Sequence, residues 1–176
     1  MKTLTRTILA CSIALVFHSL AAAQAPNIGV NGYFANDKAA KGRVVQAAIV
    51  IDIPSGYHIN SNRPLENFLI ATSLKVEGPR DVRLGPVAYP RAALRKFSFS
   101  QKQLSVYENK VILRFNVAVP ANYSGGSVNL KGHLRLQSCN DDVCFQPRNF
   151  DQNMSIDVVG ANERVKRVNG WVFGGR

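Results

Sequence analysis

VNLKGHLRLQS, residues 128–138, alternates apolar and polar side chains along most of its length. Successive side chains of a β-strand point to opposite faces, so alternation with a period of two places the apolar residues on one face. That inward face would carry Val128, Leu130, Leu134 and Leu136. The stretch therefore predicts a half-buried strand of an antiparallel sheet.

Further segments show strand patterns of the same kind. VVQAAIVIDI (44–53) is a β-branched run closed by a Pro-Ser-Gly turn, and VILRFNVAV (111–119) alternates again. SLKVEG (73–78) and MSIDVV (154–159) are shorter candidates, and residues 82–89 form a weaker one. Short strands separated by Gly and Pro predict an all-β fold, an immunoglobulin-like β-sandwich.

The beginning of the chain has the pattern of a secretory signal peptide, which we assign to residues 1–23. Lys2 and Arg6 precede an apolar run of about a dozen residues, and three alanines ending at Ala23 supply the cleavage site. The run is shorter than the roughly 20 residues that a spanning helix needs. We therefore expect a secreted protein without stable membrane insertion after cleavage.

The rest of the chain divides into a leader, one domain and a tail. Residues 24–42 are rich in Ala, Gly and Asn and predict a flexible leader, residues 43–159 form the β domain, and residues 160–176 form a basic tail. The formal net charge is +11, but the basic residues are scattered rather than clustered. This distribution favours a solvated basic surface, and no nucleic-acid partner is expected.

Two cysteines follow the alternating strand in SCNDDVCFQP, residues 138–147. The turn-forming residues 140–142 separate Cys139 from Cys144, and a short return strand at 143–145 is predicted before Pro147. Facing residues of a non-hydrogen-bonded antiparallel pair have Cα atoms about 4.5 Å apart. Such a separation permits a disulfide.

The purpose of this cysteine pair is open to three interpretations. Closing so short a loop stabilises the fold by about 2 kcal/mol on the chain-entropy model, against about 4.7 kcal/mol for a hundred-residue loop. Close cysteines in a hairpin also exchange readily. A redox-active pair and a structural hairpin disulfide therefore both remain possible, whereas a zinc site would need His58 and His133 to converge as well. We predict no metal and no organic cofactor.

The cysteine segment LRLQSCNDDVCFQP resembles that of the N-terminal periplasmic domain family of the thiol:disulfide interchange protein DsbD. GYHINSNRPLENFLIATSLKV (56–76), with Tyr107 before the strand at 109–119, is similar to the same family. The resemblance covers about residues 43–159. It implies an immunoglobulin-like fold, a periplasmic location and a redox pair formed by Cys139 and Cys144.

The resemblance also implies residues around that pair. Phe145 and Pro147 would shape its flank, and Tyr57, His58 and Asn60 would lie beside it. The family covers its cysteines with a mobile loop bearing an aromatic ring, for which Phe97 or Phe99 is the candidate. Here Arg95-Lys96 and apolar rings stand where the best-known member has acidic residues, and the loop between the cysteines is one residue shorter.

The function implied by the resemblance is electron relay, which would make the chain a protein thiol–disulfide oxidoreductase. Its partners would be thioredoxin-like periplasmic oxidoreductases. The mature chain carries no CxxC and no apolar run of spanning length, so a separate membrane protein would be the electron donor. A second hypothesis is a non-catalytic β-sandwich adaptor whose hairpin disulfide is permanent.

Overall fold

The computed structural model describes residues 25–174, and the signal peptide predicted at 1–23 lies outside the described residues. The described chain is almost entirely β, and none of its helices is long and apolar enough to span a membrane. Its strands and helix, in chain order, are β1 (Gly29–Phe34), β2 (Ala39–Ala40), β3 (Val44–Asp52), β4 (His58–Asn60), β5 (Ser73–Glu77), β6 (Arg83–Leu84), β7 (Ala93–Arg95), β8 (Leu104–Glu108), β9 (Lys110–Ala118), β10 (Ser127–Leu136), β11 (Ser138–Cys139), β12 (Arg148–Val159) and α1 (Gly170–Phe173).

The strands form three sheets, with strand orders β1-β3-β9-β6, β2-β12-β10-β5 and β11-β4-β8-β7. All neighbouring strands are antiparallel except β2 and β12, which are parallel. The first two sheets supply most of the main core, as in an immunoglobulin-like β-sandwich. The fold class predicted from the sequence is therefore confirmed.

The alternation in β9 and β10 places apolar side chains of both strands in the main core. All four apolar residues predicted to point inward from β10 are buried, and Leu113, Phe115 and Val117 of β9 are buried as well. The predicted strands at 44–53, 73–78, 111–119 and 128–138 match observed strands within two residues at each end. The last strand is longer than predicted, because β12 begins at Arg148.

The third sheet consists of short segments that extend the long strands of the sandwich. β8 runs into β9 through Asn109, whose φ of 60° lies in the left-handed region that Asn tolerates. β11 follows β10 after the single residue Gln137. One face of this sheet, with Ile59 and Tyr107, adds to the main core. The other face carries both cysteines and their surroundings.

The expectation of a flexible leader at 24–42 differs from the structure. β1 pairs in register with β3 from Gly29↔Asp52 to Phe34↔Ala47, and β2 pairs with the end of β12. Gly32, one of the glycines on which this expectation was based, has a packing role. A Cβ at this position would lie 2.5 Å from Cγ of Met154. Close approach of β1 to β12 therefore requires glycine at this position.

The tail at 160–176 also makes specific contacts where the structure describes it. Val172 of α1 is fully buried against Ala48 and Val50 on the outer face of β3. Arg114 donates a hydrogen bond from Nε to the carbonyl oxygen of Val172, 3.1 Å away. Trp171 lies edge-to-face on Tyr33. The segment covers the sandwich rather than extending freely from it.

Two weaker strand predictions are only partly matched. Within 82–89 only Arg83–Leu84 forms a strand, with one additional bridge from Ala88 to Arg114. The return strand predicted at 143–145 is reduced to a single bridge between Cys139 and Cys144. Pro147 cannot donate a ladder hydrogen bond, which limits how far such a pairing extends.

Candidate active site

Cys139 and Cys144 form a disulfide at the end of a tight hairpin, with an S–S distance of 2.07 Å and Cα atoms 3.9 Å apart. The amide of Asn140 donates to the carbonyl of Val143 (3.0 Å), and the amide of Phe145 donates to the carbonyl of Ser138 (2.8 Å). These bonds flank the cysteines as a non-hydrogen-bonded pair. Cys139 is completely buried, whereas Cys144 is half-buried.

The residues between the cysteines explain why the chain turns there. The side-chain oxygen of Asn140 accepts hydrogen bonds from the amides of Asp142 (2.9 Å) and Val143 (2.7 Å). Asn and Asp favour turns because their short side chains bond backbone groups a few residues on. The hairpin is therefore locally encoded, and it brings the two sulfur atoms together.

The disulfide belongs to a row of facing residues that crosses the third sheet. Cys139 faces Cys144 on one side and His58 of β4 on the other, and His58 in turn faces Glu108 of β8. Directly opposed residues of antiparallel strands point to the same face. The row Glu108–His58–Cys139–Cys144 therefore lies on the face that points away from the main core.

A loop between β7 and β8, residues 96–103 and here called the cap loop, covers this face. Phe97 of the cap loop packs with Leu69, Leu104, Val106 and Cys144 in a small apolar cluster separate from the main core. Its ring also stacks on the imidazole of His58, with centroids 3.9 Å apart and planes inclined by 13°. Phe97 therefore lies in the same small cluster as Cys144, and its role as a lid remains a prediction.

Phe99 extends the same stack outward. Its ring lies 5.6 Å from that of Phe97 and 6.5 Å from that of His58, nearly parallel to both. Phe99 is 37% exposed, whereas Phe97 is 9% exposed. Of the two candidate lid rings, Phe97 is the one in contact with the cysteine pair, and Phe99 forms the outer surface of the cap loop.

A polar network supports the opposite side of the hairpin. Gln137 accepts hydrogen bonds through Oε1 from the side-chain amide of Asn60 (3.0 Å) and the backbone amide of Ile70 (3.0 Å), and it donates from Nε2 to the carbonyl of Phe145 (3.1 Å). Asn60 also donates to the carbonyl of Ile70 (3.1 Å). Gln137 thus connects three segments of chain around the cysteines.

The aromatic flank predicted from the sequence is partly in contact. Tyr57 and Phe145 have ring centroids 6.0 Å apart, with planes inclined by 43°. Pro147 is half-buried and follows the hairpin two residues later. Asn60, two residues after His58 on the same face of β4, contributes through its hydrogen bonds to Gln137 and Ile70.

Electrostatics at the site centre on His58, whose side chain is 2% exposed. Burial lowers the pKa of His58 from its usual 6.5, while the carboxylates of Glu108 and Asp141 raise it by a smaller amount. Three buried polar atoms in the described residues have no hydrogen-bond partner, and all lie on β4 or β11: His58 Nε2, Asn60 Oδ1 and Ser138 Oγ. Residues 25–174 contain no group of three or more His, Cys, Asp or Glu side chains suited to a metal.

Eight of the nine residues predicted from the sequence make contacts around the hairpin, and Pro147 follows it in the chain; their roles remain predictions. Three residues that matter to the geometry were not predicted: Gln137, Ser98 and Glu108. The alternating pattern indicates only that Gln137 points outward from the strand. Its hydrogen-bond partners come from distant segments, so the sequence does not predict them. Ser98 and Glu108 carry no motif: the sheet register places Glu108 here, and a side-chain hydrogen bond to the carbonyl of Asp141 places Ser98.

These features define an all-β domain of immunoglobulin type whose hairpin disulfide lies under an aromatic loop. Residues 31–155 match the family model described as thiol:disulfide interchange protein DsbD, N-terminal. The match spans most of the sequence, and the chain belongs to this family. No match was found among curated proteins.

Two solved structures are similar to parts of this chain. The N-terminal domain of Neisseria meningitidis DsbD in the reduced form has 19% sequence identity and a TM-score of 0.46, over 73% of this chain and 85% of that one. The N-terminal periplasmic domain of ScsB from Proteus mirabilis has 14% identity and a TM-score of 0.49, over 84% of this chain and 51% of that one.

Proposed function

We propose that this domain exchanges electrons with thioredoxin-like proteins by opening and closing the Cys139–Cys144 disulfide. The observation that carries the proposal is the asymmetry of the pair: Cys139 is sealed in the sheet, and the half-buried Cys144 lies under a separate loop. A purely structural link would need no detachable cover. Membership of a family described by thiol:disulfide interchange supports the same function.

The asymmetry supports a different role for each sulfur. When the domain is reduced, a partner thiolate attacks Sγ of Cys144, the bond to Cys139 breaks, and its electron pair leaves on Cys139. The second cysteine thiolate of the partner then attacks the partner's other sulfur in the mixed disulfide. This closes the partner's own disulfide and releases the Cys144 thiolate. Oxidation of the domain follows the reverse path, with Cys139 attacking Cys144 to expel the partner.

Access of a partner to Cys144 requires the cap loop to move. Phe97 belongs to the apolar cluster against which Cys144 packs, and its displacement would break the packing with Leu69 and Leu104 and the stack on His58. This cover protects the disulfide from small thiols and makes exchange depend on a docked protein. The function further implies a periplasmic location, in agreement with the predicted signal peptide.

The test is to trap the mixed disulfide. Cys139→Ser, activated at Cys144 as a mixed disulfide with an aromatic thiol, should form a stable covalent complex with a thioredoxin-like protein whose second cysteine is replaced by serine. Neither protein then carries a thiol that could resolve the complex. Cys144→Ser should yield little complex, since the remaining thiol is buried. Recovery of no complex from either variant would favour the adaptor.

The reduction potential provides an independent measurement. Exchange proteins have potentials between about −270 and −120 mV, whereas structural disulfides fall below about −300 mV. We expect a value in the first range from equilibration with a dithiol buffer. A value well below −300 mV would contradict electron relay.

A further inference from the structure

The row of facing residues suggests a role for His58 that goes beyond lining the site; this inference rests on the proposed function. His58 is the neighbour of Cys139 on the side opposite to Cys144. Cβ atoms of directly opposed residues in antiparallel strands lie about 4.5–5.5 Å apart. The imidazole and the sulfur of Cys139 are therefore neighbours on one face of the sheet.

The imidazole is buried with an unused nitrogen. His58 is 2% exposed and its Nε2 makes no hydrogen bond, although a buried polar atom without a partner costs about 1–3 kcal/mol. Stacking against Phe97 does not explain why position 58 is a histidine, because any aromatic ring could stack there. An unsatisfied buried group of this kind calls for a functional explanation.

The charged and titratable groups around His58 come from each element packed against it. Glu108 of β8 faces it in the sheet register, Arg95 of β7 forms a salt bridge of 2.9 Å with Glu108, and Asp141 of the hairpin lies on the cysteine side. Tyr57 borders the same cleft, and the cap loop presents the rings of Phe97 and Phe99. The acidic neighbours would stabilise an imidazolium formed transiently in this cleft.

We propose that His58 is the base that accepts the proton of the Cys139 thiol when Cys139 closes the disulfide, with Glu108 stabilising the resulting imidazolium. The carboxylate, imidazole and thiol occupy successive positions in one cross-strand row, an arrangement that suits proton transfer from the thiol end towards the carboxylate end. Nucleophilic cysteines are commonly activated by a neighbouring imidazole.

The chemistry balances in both directions. During oxidation of the domain, Cys144 is already bound to the partner, His58 takes the proton from Cys139, and the Cys139 thiolate attacks Sγ of Cys144. A new Cys139–Cys144 bond forms, the partner thiolate leaves with the electron pair, and the imidazolium releases its proton to water. During reduction, the imidazolium returns a proton to the Cys139 thiolate that leaves Cys144.

Dithiobis-nitrobenzoate is a probe that isolates the closing step. This aromatic disulfide oxidises the reduced domain in two stages, first forming a mixed disulfide on Cys144 and then releasing a second coloured thiolate when Cys139 attacks. We expect His58→Phe, which retains the aromatic stack, to slow the second release about tenfold or more at neutral pH, the lower range of general base effects. His133→Phe, on the exposed face of β10, is the matched control and should leave the rate unchanged.

The pH profile of the second release distinguishes a base from a structural residue. In the unmodified domain the rate should begin to rise below the usual thiol pKa of about 8.5, whereas in His58→Phe it should follow thiol ionisation alone. Glu108→Gln, which retains a hydrogen-bond acceptor for Arg95, should move the rise to lower pH because the imidazolium loses its carboxylate. Superimposable profiles for His58→Phe and the unmodified domain would overturn the proposal.

A second measurement does not depend on access through the cap loop. The second release is measured again in deuterated water, where it should slow more in the unmodified domain than in His58→Phe, because a proton moves to the imidazole as Cys139 attacks. His58→Gln serves the same purpose if the phenylalanine variant does not fold. Equal isotope effects in the variant and the unmodified domain contradict the proposal. Neither assay uses a protein partner, so failure to trap a thioredoxin-like protein would reject the proposed function without affecting this result.

Discussion

Ser98 of the cap loop donates a hydrogen bond from its hydroxyl to the main-chain carbonyl of Asp141, 2.6 Å away, within the turn that separates the two cysteines. The bond joins two segments 43 residues apart in the sequence, the cover and the hairpin that it covers. Together with the Phe97 stack, it ties the position of the cap loop to the disulfide. This hydrogen bond therefore fastens the cap loop to the turn between the two cysteines.

Ser98→Ala tests this tether directly. A hydrogen bond contributes about 1 kcal/mol net, so its loss should favour the open cap loop and accelerate reduction of the disulfide by dithiothreitol about fivefold. The measurement is the loss of the disulfide over time, followed by alkylation and mass spectrometry. Ser100→Ala is the matched control, because the hydroxyl of Ser100 bonds to Lys102 inside the cap loop. Equal rates for the two variants would argue against a tether.

Phe97→Ala should expose the disulfide more strongly than any other change in the cap loop. The variant loses the stack on His58 and the apolar contacts with Cys144, so we expect reduction by small thiols to accelerate more than tenfold. The free energy of unfolding should fall by about 3 kcal/mol, the lower end of the range for buried phenylalanine. Phe99→Ala, at a more exposed position, should have a much smaller effect on both measurements.

Gln137→Leu should destabilise the oxidised domain by about 2–3 kcal/mol. The substitution removes the acceptor for Asn60 and the donor to Phe145, which leaves buried polar groups without partners. Urea unfolding of the oxidised protein measures the change. Gln152→Leu is the control, since its side chain bonds only to the adjacent carbonyl of Asn153. A stability loss of similar size in both variants would show that the network is not specific.

The lowered pKa of His58 predicts a dependence of stability on pH. At pH values between the pKa of His58 in the folded domain and 6.5, the imidazole is protonated in the unfolded chain but not in the folded domain. The free energy of unfolding therefore falls as the pH drops below about 6.5. Above that pH the group is neutral in both states and makes no such contribution. Urea unfolding between about pH 5.5 and 7.5 should show this slope in the unmodified domain and in His133→Phe. If His58→Phe retains the full slope, another group is responsible.

Val172→Ala tests the contribution of the C-terminal segment. The side chain is fully buried against Ala48 and Val50, so its truncation should lower the free energy of unfolding by about 1–2 kcal/mol. Trp171→Ala, at a position 56% exposed, should cost less despite removing a larger ring. Thermal unfolding of the two variants provides the comparison, and the reverse order would show that α1 is anchored through the indole.

The sequence predicted the elements whose signal is local. Period-two alternation placed Leu134 and Leu136 in the core, because the direction of a side chain in a strand depends only on its position in the repeat. The Asn-Asp-Asp turn likewise made a hairpin between Cys139 and Cys144 predictable, since the bonds that close it are made within four residues. Family resemblance added the cap loop and its aromatic candidates.

Only the tertiary structure decided the features that depend on distant partners. The segment Gly29–Phe34 has the composition of a loop, yet it forms a strand because β3 supplies its hydrogen bonds and Met154 occupies the space above Gly32. Glu108, His58 and Cys139 are neighbours only through sheet register, which joins segments about 30 to 80 residues apart. The apolar–polar pattern of a strand indicates to which face each side chain points. Which residue lies opposite it depends on how the strands pair.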